Sequence, residues 1–247
     1  MDLLGWDTVS TVSIPWVNRA LAERVVPLDF EFSGDDFDAP SFTCRGRLGT
    51  WSVVGGSGDL LYVSVGLSGQ ISTSAASLAL DGAAAVFAIS LQLLPPDAAQ
   101  LRALTCDLSN AGVLIDMPGP GLVTPLTLTG PPEFMKELGD VGQEALLNGL
   151  AQTLSAHAGE LSYVLANVSL VPPGGNGWLA PAESAYCFYP SPHGSGQGYL
   201  AVLGVTTPRD VRRLSRTIPP ELLAGNPDAA LAISRDLVLA HVIMPTL

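Results

Sequence analysis

Between Gly46 and Ile71 the chain reads GRLGTWSVVGGSGDLLYVSVGLSGQI, and the second half of this stretch alternates strictly. Leu61, Val63, Val65 and Leu67 are apolar, whereas Tyr62, Ser64 and Gly66 between them are polar, small or amphipathic. Successive side chains on a strand point to opposite faces, so this period predicts a half-buried antiparallel strand with one dry side. Ser57-Gly58-Asp59 supplies the turn that precedes it. The pattern recurs over Ala84–Leu94, where Phe87, Ile89, Leu91 and Leu93 alternate with Ala88, Ser90 and Gln92. Pro95-Pro96 then ends the run, because proline cannot continue a ladder.

Other elements follow from local chemistry. Ser13 with Pro15 opens a helix through about Val25, the hydroxyl serving free N–H groups and the ring suiting the first turn. Residues 28–40, with Asp29, Glu31, Asp35, Asp36 and Asp38, read as an acidic strand-to-loop edge. Strands are expected at Phe42–Arg47, Trp51–Val54, Gly112–Ile115, Leu122–Leu128, Leu161–Val171, Ser184–Tyr189 and Tyr199–Thr206. A long helix is expected over about Pro132 to His157, with Leu146, Leu150 and Leu154 in one apolar row. Its glycines Gly139, Gly142 and Gly149 each cost about 1 kcal/mol relative to Ala and point to close approach of another backbone. Ala229 to Met244, apolar nearly all round, reads as a final buried helix that needs a cover.

Composition narrows the function. Hydrophobic residues make up 47% of the 247 and charged residues 14%, well below the usual ~25%. Such a chain must either enclose a ligand or cover its apolar surface with a partner. The net charge is −12, with one lysine, Lys136, among eleven cations. Phosphate neutralisation needs a basic stripe, so nucleic acid is excluded as the expected partner and an anionic membrane surface is disfavoured. No basic and then apolar leader stands at the N-terminus, and no apolar run approaches the ~20 residues that span a bilayer. The three cysteines, Cys44, Cys106 and Cys187, are odd in number and widely spaced, which fits a reducing, cytoplasmic setting.

The motif search finds no catalytic constellation. GSGQG at Gly194–Gly198 precedes a strand, whereas a dinucleotide fingerprint follows one and opens a helix, so a hairpin loop is the reading. GGSG at Gly55–Gly58 lacks the nucleophile-elbow pattern. His157, His193 and His241 show no metal-ligand spacing and read as structural. The Asp35, Asp36, Asp38 group reads as a solvated acidic edge. The one basic patch, Arg209, Arg212, Arg213 and Arg216, reads first as a balance to nearby acidic surface and second as a seat for an anionic headgroup. No metal, no cofactor and no catalytic residue is expected.

Scattered segments resemble a known family: GWDTV with Asn18 and Leu21, GTWSVVGGSGDLLYVSV with Gly69, WLAPAESAYCFYP, GYLAVLGV, and the end IPPELL…ALAISRDLVLAHVIMPTL. Together they are similar to the OrfX-type accessory proteins of clostridial neurotoxin clusters, in the TULIP superfamily of tubular lipid-binding proteins. The chain departs from that family's lysine-rich composition, and the segment equivalent to its C-terminal stretch lies within a longer polypeptide there. The resemblance implies an α+β fold, a strongly bent antiparallel β-sheet wrapped around a long helix, here as one domain over residues 1–247 open to completion by a partner chain. It implies a non-enzymatic protein binding a lipid or other apolar small molecule in a toxin or secondary-metabolite cluster. The alternatives are an interaction subunit with a self-filled core and, more remotely, an enzyme that folds a hydrophobic substrate. In such a tube Leu61, Val63, Val65, Leu67, Phe87, Ile89, Leu91 and Leu93 are expected to line the ligand. Leu231, Leu237, Leu239 and Ile243 are expected at the interface of a homo-oligomer or hetero-complex.

Overall fold

The computed structural model describes residues 2–24, 27–34, 41–73, 77–95, 101–161, 164–169, 177–191 and 198–244. In chain order the elements are β1 (Thr8–Ser13), α1 (Ile14–Ala22), β2 (Leu28–Gly34), β3 (Phe42–Ser57), β4 (Leu60–Thr73), β5 (Ser77–Ala79), β6 (Ala84–Leu93), β7 (Leu101–Cys106), β8 (Asn110–Ala111) and β9 (Leu122–Thr129). They continue with α2 (Pro132–Ala156), β10 (Val164–Ser169), β11 (Glu183–Pro190), β12 (Gly198–Val205), β13 (Ala229–Ile233) and α3 (Arg235–Val238). A nine-stranded sheet runs β10-β7-β6-β4-β3-β2, with β5 on β4, β9 on β6 and β8 on β9. A second, four-stranded sheet runs β11-β12-β1-β13.

The large sheet is an α+β half-barrel curled round α2. Its curl comes from β3 and β4, which form one long hairpin where the sequence suggests two shorter strands on the first arm. The register slips between Leu48 and Trp51 and again between Val53 and Gly55. Each slip inserts an extra residue on β3, and an extra residue on one strand bends and twists the ladder. Gly46 lies opposite Gly69 at the far end of the hairpin, where a Cβ on either would meet backbone within 2.3 Å. Side chains are excluded there by the closeness of the two strands. Backbone groups freed at the second slip find a partner on α1: Asn18 Nδ2 donates to the Val53 carbonyl (3.0 Å) and Val53 N–H donates to Asn18 Oδ1 (2.7 Å).

β9 with β8 on one rim and β2 on the other approach α2, which bridges the mouth of the curl. At the β2 rim the Phe32 ring lies over Gly149, so close that a Cβ there would fall 2.2 Å from it. The neighbour that this glycine admits is thus an aromatic ring, not the backbone expected from sequence. Gly139 has φ +65° and breaks α2 into two helical pieces, a conformation open to glycine at little steric cost. The C-terminal piece buries Leu146, Leu147, Leu150 and Leu154 in the main core.

The final element departs from expectation. Ala229–Ile233 is a strand paired antiparallel with β1, and only from Arg235 is the chain helical, through α3 and a π-helical turn at Leu239–Ile243. A run apolar on every side carries no period, so sequence alone cannot separate strand from helix there. The neighbour decides: Ser13 N–H donates to the Asp228 carbonyl (2.8 Å) and Ser234 N–H to the Asp7 carbonyl (2.8 Å), closing the ladder at both ends. Ser234 then caps the helix, its Oγ accepting from Leu237 N–H (3.3 Å).

Candidate functional site

The structure brings all eight expected lining residues onto the inner face of β4 and β6, with the register the alternation predicts. Leu61, Val63, Val65, Leu67, Phe87, Ile89 and Leu91 are buried in one cluster with the leucines of α2, and the partly buried Leu93 packs against it. Among the described residues, this cluster holds no charged side chain. The face is also closed, because the side chains of α2 and α1 already occupy it.

Open apolar surface lies instead beside the four-stranded sheet, around a turn at the N-terminus. Leu4 holds φ +56° with its side chain substantially exposed, and a left-handed backbone at a leucine stores strain of about 1–2 kcal/mol. Four anchors hold the turn in place. Trp6 N–H donates to the Leu3 carbonyl (3.0 Å), Leu4 N–H to Asp2 Oδ1 (2.9 Å), Trp6 Nε1 to the Ser215 carbonyl (2.8 Å) and Arg209 Nη2 to the Gly5 carbonyl (2.6 Å). Trp6 itself is buried with Leu3, Val9, Tyr199, Ile218 and Leu223 in a second core.

Two clefts flank this turn. One, of about 690 Å³, is lined by Leu4, Tyr189, Ile218, Pro219 and Pro220, with Asp2, Thr217 and Glu221 beside them. Its size falls in the range of small-molecule sites. The other, of about 620 Å³, is polar, with Asp2, Asp7, Arg209, Arg235 and Asp236 among its walls. Sequence reasoning missed both, since each is assembled from segments about 200 residues apart. The one local sign was the Leu4-Gly5 pair before Trp6, a turn signal in an apolar setting.

Asp7 organises the polar cleft. Its Oδ2 accepts from Thr206 N–H (2.7 Å) and Oγ1 (3.0 Å), and its Oδ1 from Arg209 (2.8 Å). Burial resists ionisation of this carboxyl, but the Thr206 bonds and the Arg209 guanidinium together hold it below the ordinary carboxylate range. Two further arginines of the patch also pair with carboxylates: Arg213 lies 3.6 Å from Asp210 and Arg216 2.8 Å from Asp59, while Arg212 donates its backbone N–H to Asp210 Oδ1 (3.0 Å). The residues stand on a 3₁₀ turn and loops rather than one helical face. Asp29 and Glu31 pair with Arg47 and Arg45 on the outer face of the large sheet; Asp35, Asp36 and Asp38 lie outside the described residues.

His157 caps the end of α2 and lies 3.0 Å from Glu160, and His241 stacks on Trp178 at 5.4 Å. His193 lies outside the described residues. The three cysteines are free and buried; burial pushes Cys44 and Cys106 up to about 12 and Cys187 to about 11, which keeps them protonated thiols. Among the described residues no group of three or more His, Cys, Asp or Glu side chains gathers as metal ligands do. No described helix is long and apolar enough to cross a membrane.

Of the expected interface residues, Leu237 is buried, while Leu231 on β13, and Leu239 and Ile243 on the π-helical turn, are exposed. Together these features define an α+β protein in which a curled antiparallel sheet closes over a kinked helix beside a smaller sheet.

The chain belongs to the OrfX-like family, whose model, described as Protein OrfX2/OrfX3/P47, matches residues 3–247. It is 24% identical over 252 residues to Protein P47 of Clostridium botulinum (strain Kyoto / Type A2), a match that covers 99% of this chain and 56% of that protein. The solved structure of P47 from Clostridium botulinum A2 superposes with a TM-score of 0.72 at 22% identity, covering 97% of this chain and 54% of that one. The crystal structure of P47 of Clostridium botulinum E1 gives 0.71 at 22% identity, covering 99% and 55%. The chain thus spans about half the length of these relatives.

Proposed function

We propose that this OrfX-like chain is a non-enzymatic binder of a lipid or other apolar small molecule, acting as an accessory of a toxin or secondary-metabolite gene cluster. The observation that carries the reading is the 690 Å³ cleft with its floor of Leu4, Tyr189, Ile218, Pro219 and Pro220. It is the open counterpart of the closed apolar face on β4 and β6. Each buried methylene contributes about 0.8 kcal/mol, so an acyl chain binds there without any specific polar contact. Family membership supports the accessory role, and three free buried cysteines suit work in a reducing compartment.

The test is mass spectrometry of organic extracts from the natively purified chain, wild type beside Leu4→Asp. Aspartate tolerates a left-handed backbone, so this variant should keep its fold while placing a charge at the cleft. A recurring apolar compound in wild type that is lost from Leu4→Asp is the expected result. Retention by Leu4→Asp overturns the cleft as the seat of the ligand. Clean wild-type extracts overturn ligand binding altogether. A second reading, an interaction subunit with a self-filled core, is favoured by one observation: the eight inward residues of β4 and β6 already pack against the protein's own helices.

A further inference from the structure

We infer that the apolar cleft beside Leu4 selects a cationic amphiphile, a long-chain amine whose tail lies on the apolar wall and whose ammonium head meets the carboxylates of Asp2 and Glu221. This names the ligand class of the site in the proposed function and rests on that reading.

Of the eight residues that line the 690 Å³ cleft, two are charged at neutral pH, and both are acids. The chain itself neutralises neither. Glu221 has no hydrogen-bond or ion-pair partner among the described residues. It stands in the 3₁₀ turn Pro220–Leu223, whose N-terminus takes no side-chain cap, so its carboxylate is not engaged by the backbone either. Asp2 accepts one bond, from Leu4 N–H to Oδ1 (2.9 Å). That bond holds the carboxylate beside Leu4 and leaves Oδ2 without a partner among the described residues. The arginines around the N-terminal turn are committed elsewhere. Arg209 bonds to Asp7 and to the Gly5 carbonyl in the polar cleft, and Arg216, next to Thr217 in sequence, pairs with Asp59 at 2.8 Å. Among the described residues no lysine or arginine lines the apolar cleft.

Shape and charge therefore act on different parts of a ligand. Leu4, Ile218, Pro219 and Pro220 take a hydrocarbon tail by burial of apolar area alone. A carboxylate head on the same tail would meet two like charges with no counter-charge beside them. An ammonium head is attracted by both, and the ring of Tyr189 adds an aromatic surface of the kind that attracts cations. Both carboxylates are exposed, so the selectivity has the size of surface ion pairs, about fivefold for each change of head charge.

Isothermal titration calorimetry of the full chain with decylammonium, decanol and decanoate, each below its micelle concentration at neutral pH, tests this. Decylammonium should bind at least about fivefold tighter than decanol, and decanoate at least about fivefold weaker. The preference for the amine should shrink in ~1 M salt, where the screening length is ~3 Å. In the double variant Asp2→Asn/Glu221→Gln amine and alcohol should bind alike, with the alcohol's affinity unchanged. Asparagine keeps an acceptor for Leu4 N–H, so the turn is retained. Glu133→Gln/Glu137→Gln, two exposed acids of α2 outside the cleft, makes the same change in net charge and should leave the preference intact. Leu4→Asp puts its charge in the wall that takes the tail and should weaken amine and alcohol together. Equal binding of amine and alcohol to wild type would overturn the inference and leave the apolar-binder reading standing. So would a preference that survives in the Asp2/Glu221 variant or falls equally in the Glu133/Glu137 variant. Binding of none of the three probes overturns both.

Discussion

Asp7 shows how one side chain can tie distant segments together. Its carboxylate receives Thr206 and Arg209 while its backbone carbonyl receives Ser234, so β1, the chain after β12 and the start of the C-terminal helical segment meet on one residue. Because its folded pKa lies below the ordinary value of 3.8, the ionised form is favoured by folding. The resulting stability is fully present above the unfolded pKa and is lost as pH falls through the folded one. Asp7→Asn should therefore melt below wild type at pH 7, by the worth of hydrogen bonds to a charged group, about 1.5–3 kcal/mol. The two melting curves should converge as the solution is acidified past the folded pKa of Asp7. A constant gap down to the lowest pH at which both fold would show that Asp7 acts through packing rather than charge.

Strand register is the property that matters at the scale of the element. Val65 faces the closed interior and pairs with Ala85 of β6 and Trp51 of β3, while Ser64 faces outward. A one-residue slip would exchange the two faces entirely. Val65→Asp buries an unpaired charge and should abolish cooperative unfolding, whereas Ser64→Asp should shift stability by less than about 1 kcal/mol. Circular dichroism melts of both variants check this, and equal damage would mean that the faces are misassigned. The first helix shows the same interplay of local and non-local chemistry. Ser13 Oγ accepts from Trp16 N–H at its N-terminus, as the Ser-x-Pro signal predicts. Asn18 in its middle answers a backbone irregularity 35 residues away, for which no local pattern exists.

At the scale of the whole molecule the two sheets are joined at the tip of the β3–β4 hairpin. Phe188 N–H donates to the Gly58 carbonyl (2.7 Å), Arg216 pairs with Asp59 (2.8 Å), and Leu91 N–H donates to the hydroxyl of Tyr186 (2.9 Å). The turn read first from the sequence as a simple reversal is thus also the joint between the sheets. Tyr186→Phe leaves the amide of Leu91 unpaired in a half-buried position and should cost about 1–3 kcal/mol. Hydrogen exchange should show the loss concentrated at the end of β6 and in β11, with the C-terminal half of α2 unchanged. Uniform loss of protection would mean that the two sheets unfold as one unit and that the joint is not separately stable.

The sequence by itself determined the inner faces of β4 and β6, the cap of α1, the leucine row of α2 and the α+β class. Each of these is written in a period or a spacing of a few residues, and local sterics and burial translate such periods directly into structure. It also carried enough dispersed similarity to indicate the OrfX-like family. Tertiary structure alone decided three things. It made Ala229–Ile233 a strand, because an all-apolar run takes the conformation of whichever neighbour completes its hydrogen bonds, here β1. It closed the β4–β6 face, because the helices that fill the curl come from elsewhere in the chain. And it opened the apolar cleft beside Leu4, whose walls lie near the two ends of the chain and are brought together by the pairing of β1 with β12 and β13.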